Sequence, residues 1–147
     1  MNSLDTNILI YATNNGCEEH DKAIVIYEKL LNNPNEWIIS DQVLFEFFRA
    51  LCNPKILMKP LNQKLALEQI VFLREETGCL HCNYEIDFWK TTIGYLGQSK
   101  KSAKNIFDII LGTTLEKNCV KNFFTRNTKD FIQFKSMNII NPIDGQI

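Results

Sequence analysis

Four acidic residues stand where short apolar runs of the sequence give way to helix-like segments. Asp5 follows the first apolar run, Asp108 lies in the first turn of a predicted helix, and Asp130 comes shortly after a strand-like run that ends at Thr125. Glu46 lies inside a predicted helix among apolar residues, where a carboxylate is costly without a partner. If these side chains converge, their combined charge favours a hard divalent cation such as Mg²⁺, which binds oxygen ligands. The pattern therefore indicates metal-assisted attack of water on a phosphodiester bond.

Each acid also has a simpler structural explanation. Asp5 precedes Thr6 at a helix start and can assist an N-cap there. Asn105 and Asn127 each stand three residues before an acid, which is the spacing of a capping box. Glu46 can equally lie on a helix surface. The residues alone leave these alternatives open.

The segments that must position the acids alternate between short apolar runs and longer amphipathic stretches. Apolar residues at 3–4 spacing predict helices over residues 19–32, 40–51, 62–76, 84–96 and 105–118. Short apolar runs predict strands at residues 3–5, continued over 8–11, and at 37–39, 79–82, 121–125 and 137–140. This alternation predicts a single α/β domain over residues 1–147 with a mostly parallel sheet of about four to five strands. Ligands of such sheets bind at the carboxyl ends of the strands, where three of the acids are expected.

Composition excludes several classes of protein. Of the 147 residues, 45% are hydrophobic and 22% are charged, which is typical of a globular domain rather than a disordered chain. The net charge of −1 gives no overall argument for a nucleic-acid partner. Basic residues are nevertheless concentrated in residues 100–135, which predicts either a phosphate-facing patch or a solvated helix face.

The cysteines and histidines favour neither a zinc site nor nucleophilic catalysis. Cys79, His81 and Cys82 are close in sequence, but a structural zinc site needs four ligands, and the other histidine, His20, is distant. Five cysteines, an odd number, indicate free thiols in a reducing compartment. The first residues lack the regions of a signal peptide, and no apolar run is long enough to span a membrane. We therefore expect a cytoplasmic protein without a membrane partner.

Four segments of the chain resemble the acidic motifs of PIN domains, in the order and spacing of that family. They are Leu4-Asp5-Thr6-Asn7-Ile8-Leu9-Ile10-Tyr11-Ala12, Ile39-Ser40-Asp41-Gln42-Val43-Leu44-Phe45-Glu46-Phe47, Ile106-Phe107-Asp108-Ile109-Ile110-Leu111 and Phe124-Thr125-Arg126-Asn127-Thr128-Lys129-Asp130-Phe131. The pattern covers nearly the whole chain and is most similar to VapC-like toxins of prokaryotic toxin–antitoxin pairs. The resemblance implies a PIN-like fold with helices on both sides of the sheet, and an endoribonuclease that depends on Mg²⁺ or Mn²⁺.

The resemblance also implies roles for individual residues. The expected catalytic and metal-binding carboxylates are Asp5, Glu46, Asp108 and Asp130. The expected supporting residues are Thr6, Asn7, Thr125 and Asn127. The expected contacts to the RNA backbone are Lys100, Lys101, Lys104, Arg126 and Lys129.

Three positions, Asn127, Phe107 and Gly112, depart from the commoner family residues. Asn127 stands where family members often carry an acid, and an amide adds no charge. A second metal ion is therefore expected to bind only weakly, or only once RNA phosphate is present. Gly112, one turn after Asp108, either leaves space near the acids or allows helices to approach closely.

Two functions from different classes fit these residues. The first is a metal-dependent endoribonuclease, in which water attacks in line and leaves a 5′-phosphate and a 3′-hydroxyl. The second is a PIN-fold module that binds RNA or protein with little catalysis, because Asn127 weakens the site. A phosphate-binding or signalling α/β domain is disfavoured, since the chain lacks a Gly-rich phosphate loop.

The resemblance implies three partners: RNA, an antitoxin whose segment packs into a groove, and a second copy of the chain in a homodimer. The predicted helices at 62–76 and 84–96 are candidate surfaces for the antitoxin or the dimer. Packing in the core of the protein explains their apolar residues equally well.

Overall fold

The computed structural model of the protein describes residues 1–98 and 105–145. Lys100, Lys101 and Lys104, predicted to contact RNA, lie outside these residues. The helices are α1 (Thr6–Thr13), α2 (His20–Asn32), α3 (Asp41–Leu51), α4 (Gln63–Val71), α5 (Phe88–Gln98) and α6 (Ile106–Lys117). The strands are β1 (Asn2–Leu4), β2 (Ile38–Ser40), β3 (Leu80–Cys82), β4 (Asn122–Phe124) and β5 (Asn138–Ile140). A π-helical turn lies at Phe72–Glu76, and 3-10 turns lie at Pro34–Glu36 and Thr128–Asp130.

The strands within the described residues pair in parallel. β4 lies between β1 and β5, with Leu4 opposite Phe124 and Phe124 opposite Ile140, and β2 pairs separately with β3. An isolated parallel bridge between Asn2 and Trp37 connects the two sheets. The predicted α/β class is confirmed, although the sheet is divided into a three-stranded and a two-stranded part.

Strands β1, β2 and β4 carry completely buried apolar side chains. Leu4, Ile39 and Phe123 have no exposed surface, as expected for parallel strands buried by crossover helices. α1 packs against α2 and α3, while α5 packs against α6. Within the described parts of the chain, no helix is both long enough and apolar enough to cross a membrane.

Polar residues and a glycine set the ends of several elements. The Ser40 hydroxyl accepts a hydrogen bond from the Gln42 backbone N–H, so Ser40 is the N-cap of α3. Asn62 accepts from the backbone N–H of Leu65 and caps α4 in the same way. Gly78 has a φ of 80°, a left-handed conformation that suits glycine and ends the helical segment before β3.

The prediction that residues 8–11 continue the first strand is wrong, because they belong to α1. The Asp5 backbone N–H donates a hydrogen bond to the Phe124 carbonyl. The Ile8 backbone N–H donates to the Asp5 carbonyl, which begins the helix. Ile8, Leu9 and Ala12 are buried along one helical face. A short apolar run fits a strand and a buried helix equally well, so burial in the tertiary structure decides between them.

Gly112 is required for packing against an aromatic ring rather than for space near the acids. A Cβ atom at this position would lie 2.1 Å from Cε2 of the buried Phe134. The second explanation from the sequence, close packing, is therefore correct in kind, although the partner is a side chain of the segment between β4 and β5 rather than a helix.

Gly112→Ala should destabilise the protein by roughly 1–3 kcal/mol, because the added methyl group forces the Phe134 ring out of its place. Gly94→Ala is a matched control on α5, where an added Cβ meets no atom within 4 Å. The control should be neutral or stabilising, since alanine favours a helix by up to about 1 kcal/mol over glycine. Urea unfolding measures both variants. A Gly112→Ala protein as stable as the parent would contradict this packing.

Candidate active site

The site begins where β1 and β4 end side by side. Leu4 pairs with Phe124, so the next residues, Asp5 and Thr125, emerge together at the carboxyl edge of the sheet. Oδ2 of Asp5 accepts a hydrogen bond of 2.7 Å from the Thr125 hydroxyl and another of 2.7 Å from the Asn7 amide. Parallel pairing thus brings together two residues that are 120 positions apart.

Asp5 is the most deeply buried of the four acids, with 8% of its surface exposed. Burial raises the pKa of its carboxyl from 3.8 to about 6, against hydrogen bonds from the Thr125 side chain and the Thr6 backbone that lower it. The negative charges of Glu46 and Asp108 raise the pKa of Asp5 further. The three acids therefore lie close enough to affect one another electrostatically.

Glu46 is held in place by residues on both sides. Its Oε2 accepts a hydrogen bond of 3.3 Å from the Thr6 hydroxyl, and its Oε1 accepts one of 2.9 Å from the Gln42 amide. The same Gln42 amide nitrogen donates to the Phe107 carbonyl oxygen at 3.1 Å. Gln42 therefore connects α3 to the first turn of α6, directly before Asp108.

Asp108 and Asp130 are joined by one amide. The Nδ2 atom of Asn105 donates to Oδ2 of Asp108 at 3.3 Å and to Oδ1 of Asp130 at 2.9 Å. This amide brings the 3-10 turn after β4 next to the start of α6. Hydrogen bonds and adjacent residues thus link all four predicted carboxylates into one cluster.

The capping explanation does not account for the acidic positions. Asp5, Asn105 and Asn127 stand at N-cap positions, but none of their side chains makes a capping hydrogen bond. The Asn105 amide instead contacts the two acids. Glu46 is half-buried and hydrogen-bonded, so it is not a solvated side chain on a helix surface.

The predicted supporting residues connect the ends of β1 and β4. Thr125 accepts hydrogen bonds from the Asn7 amide at 3.2 Å and from the Asn127 backbone N–H at 3.0 Å. The Asn7 side-chain oxygen accepts from the Arg126 backbone N–H at 3.3 Å. These contacts hold the Thr125 hydroxyl toward Asp5.

The predicted RNA-binding residues within the described chain are Arg126 and Lys129. The Arg126 guanidinium pairs with Glu19 at 2.5 Å and with Asp144 at 3.4 Å, and lies 5.7 Å from the centre of the Tyr11 ring. Arg126 therefore already connects α1, the residue that precedes α2 and the C-terminal segment. Lys129 is exposed in the turn that contains Asp130.

The chemistry of these residues fits a divalent cation. All four predicted ligands are carboxylates, and a cation would compensate the charge that burial makes unfavourable at Asp5. Over residues 1–98 and 105–145, no group of three or more His, Cys, Asp or Glu side chains is arranged to hold a metal ion. Mg²⁺ commonly keeps several waters and uses one or two protein carboxylates with substrate phosphate. An ion held in that way would need only one or two of the four carboxylates as direct ligands.

Sequence reasoning assigned no site role to Gln42 or Asn105. Gln42 stands four residues before Glu46, and Asn105 three residues before Asp108, spacings at which helical side chains meet. For Gln42, this spacing predicts the contact with Glu46. For Asn105, the spacing resembles a capping box, but the Asn105 amide contacts Asp130 as well as Asp108.

The chain is similar to known proteins in sequence and in fold. No protein-family model matches the chain. The sequence is 31% identical over 145 residues to ribonuclease VapC24 of Mycobacterium tuberculosis, covering 97% of both chains. The fold is similar to that of M. tuberculosis VapC20, a Sarcin-Ricin loop cleaving toxin, with a TM-score of 0.65, 16% identity, and coverage of 86% of this chain and 92% of that one. It is also similar to a toxin–antitoxin complex from Klebsiella pneumoniae, with a TM-score of 0.63, 22% identity, and coverage of 97% and 98%.

Asp5→Asn should stabilise the metal-free protein at neutral pH. Because the pKa of Asp5 is raised, its protonated form stabilises the fold below about pH 4, and this contribution is lost as the pH rises through about 6. Ionisation of the Asp5 carboxyl then lowers the free energy of unfolding by roughly 3 kcal/mol. A neutral amide at this position avoids that loss. Urea unfolding in EDTA should therefore find the variant more stable than the parent at pH 7.5, with a much smaller difference at pH 4.

Glu28→Gln, an exposed change on α2, serves as the control and should alter stability by less than about 0.5 kcal/mol at either pH. An Asp5→Asn protein that is less stable than the parent at pH 7.5 would disprove the electrostatic cost of the buried carboxylate.

Proposed function

Because the chain belongs to the VapC family of ribonucleases, we propose that it cleaves RNA as the toxin of a toxin–antitoxin pair, with its four acids as the catalytic site. The observation that carries this proposal is the burial of Asp5 beside Glu46 and Asp108, whose charges raise its pKa. Such a cluster is unfavourable for folding and favourable for binding a cation.

The acids of the cluster have distinct supporting contacts. In the proposal, Asp5, Glu46, Asp108 and Asp130 hold Mg²⁺ or Mn²⁺ directly or through water. When bound, such an ion polarises the phosphodiester and lowers the pKa of a water molecule. Thr125 and Asn7 fix the orientation of the Asp5 carboxylate by their hydrogen bonds to Oδ2. This fixed geometry limits the reorganisation required during reaction.

Other polar residues near the acids hold the Glu46 and Thr125 side chains in place. Thr6 and Gln42 each donate to one oxygen of Glu46, which keeps that side chain directed toward the cluster. Asn127 acts through its backbone N–H on Thr125. Since Asn127 adds no negative charge, we propose that the cluster holds one cation firmly and a second only weakly.

The proposed partners are RNA and an antitoxin, with a homodimer as the expected assembly. The regions predicted as protein-binding surfaces carry exposed apolar side chains: Leu67 and Val71 on α4, and Trp89 and Ile93 on α5. We further propose a cytoplasmic location, which is supported by an RNA substrate and by the free thiols of all five cysteines.

Asp5→Asn should lower RNA cleavage by roughly 100-fold or more, because even the residues that support metal ligands typically contribute about 10- to 100-fold. The assay incubates purified protein with a mixed RNA pool in EDTA, Mg²⁺ or Mn²⁺. The parent should cleave in the presence of either metal and lose its activity in EDTA. Asp21→Asn on the exposed side of α2 removes an equivalent carboxylate and should leave cleavage unchanged.

Full activity of a folded Asp5→Asn variant would exclude the proposed site. RNA binding by the parent without cleavage in any metal would instead favour the second hypothesis, a binding module of the same fold in which Asn127 weakens catalysis.

A further inference from the structure

Two large aromatic side chains that directly precede acids of the cluster in the sequence are exposed. Phe45 precedes Glu46 and is 70% exposed, and Phe107 precedes Asp108 and is 63% exposed. By contrast, Phe47 and Phe123 are completely buried. A single exposed apolar side chain is ordinary in a soluble protein. Two aromatic rings next to two acids of the same cluster suggest a role in binding.

Gln42 connects the helix that carries Phe45 to the backbone of Phe107. Gln42, Phe45 and Glu46 lie at positions i, i+3 and i+4 of α3, so they share one side of the helix. The Gln42 amide donates to Oε1 of Glu46 and to the carbonyl oxygen of Phe107. The two aromatic residues thus lie on different helices, α3 and α6, which the Gln42 side chain connects.

The charge of the cluster limits how RNA can be attracted to it. Without a bound cation the carboxylates repel phosphate, and the Arg126 guanidinium already pairs with Glu19 and Asp144. Contacts with bases offer attraction that does not depend on the local charge. Aromatic side chains stack on bases of any sequence, provided that these bases are not already stacked inside a duplex.

We propose that Phe45 and Phe107 form an aromatic platform on which unpaired RNA bases stack beside the acidic cluster. This inference rests on the proposed ribonuclease function and assigns contacts with RNA bases to two residues outside the acidic cluster.

Binding without cleavage tests the platform. In the Asp5→Asn background, Phe45→Leu and Phe107→Leu should each weaken binding of a fluorescent single-stranded oligoadenylate by roughly 5- to 150-fold, the usual effect of losing one base stack. Phe45→Trp and Phe107→Trp should retain the affinity, because an indole ring also stacks on bases. Leucine is apolar but cannot stack. An RNA duplex of the same length should bind equally weakly to all of these proteins.

Met58→Ala provides a control for exposed apolar surface, since Met58 is 95% exposed in the segment between α3 and α4, which carries none of the four acids. It should leave oligoadenylate affinity unchanged. Thermal unfolding of each variant establishes that the fold is retained.

Cleavage by the active chain separates the two proposals. If the parent cleaves no RNA but the aromatic residues still govern oligoadenylate binding, the platform stands and the ribonuclease proposal fails. If the parent cleaves RNA and both leucine variants bind and cleave as it does, the platform is overturned. Unchanged RNA affinity together with conversion of a dimer to a monomer in sedimentation would assign the two rings to a protein interface, which also overturns it.

Discussion

The carboxylate of Asp5 lies almost out of contact with water, at the edge where β1 and β4 end together. Thr125 and Asn7 both donate hydrogen bonds to its Oδ2 atom. These bonds do not fully offset the lost hydration, and Glu46 and Asp108 add further repulsion. The fold tolerates this unfavourable charge because the surrounding strands and helices are well packed. A site that is costly for the folded state alone is suited to a positively charged ligand.

The positions of the acids could be predicted because the geometry of a parallel sheet is simple. Strands that run in the same direction end at the same edge, so an acid after each strand reaches a common site. Asp5 follows β1 and Asp130 follows β4, and the two strands are neighbours. The N-cap at Ser40 and the left-handed Gly78 were equally accessible, because the required chemistry lies within a few residues.

Features that depend on distant partners could not be predicted in the same way. Residues 8–11 are as apolar as a strand, and only packing against α2 and α3 makes them helical. The partner of Gly112 is Phe134, which follows β4 and has no recognisable spacing from the glycine. Amides such as Gln42 and Asn105 can donate to many acceptors, so their choice depends on which elements the fold brings close.

The pairing of β1 with β4 also has a consequence for synthesis of the protein. The first acid of the cluster and the hydroxyl that orients it are separated by 120 residues. A nascent chain emerging from the ribosome therefore carries Asp5 early, but it cannot assemble the oriented carboxylate until the segment around Thr125 has also emerged. Such a distant contact forms late in folding, because closing a long loop is entropically costly. The oriented carboxylate is thus unavailable during most of translation, and the translating ribosome is not exposed to the completed acidic cluster of its own product.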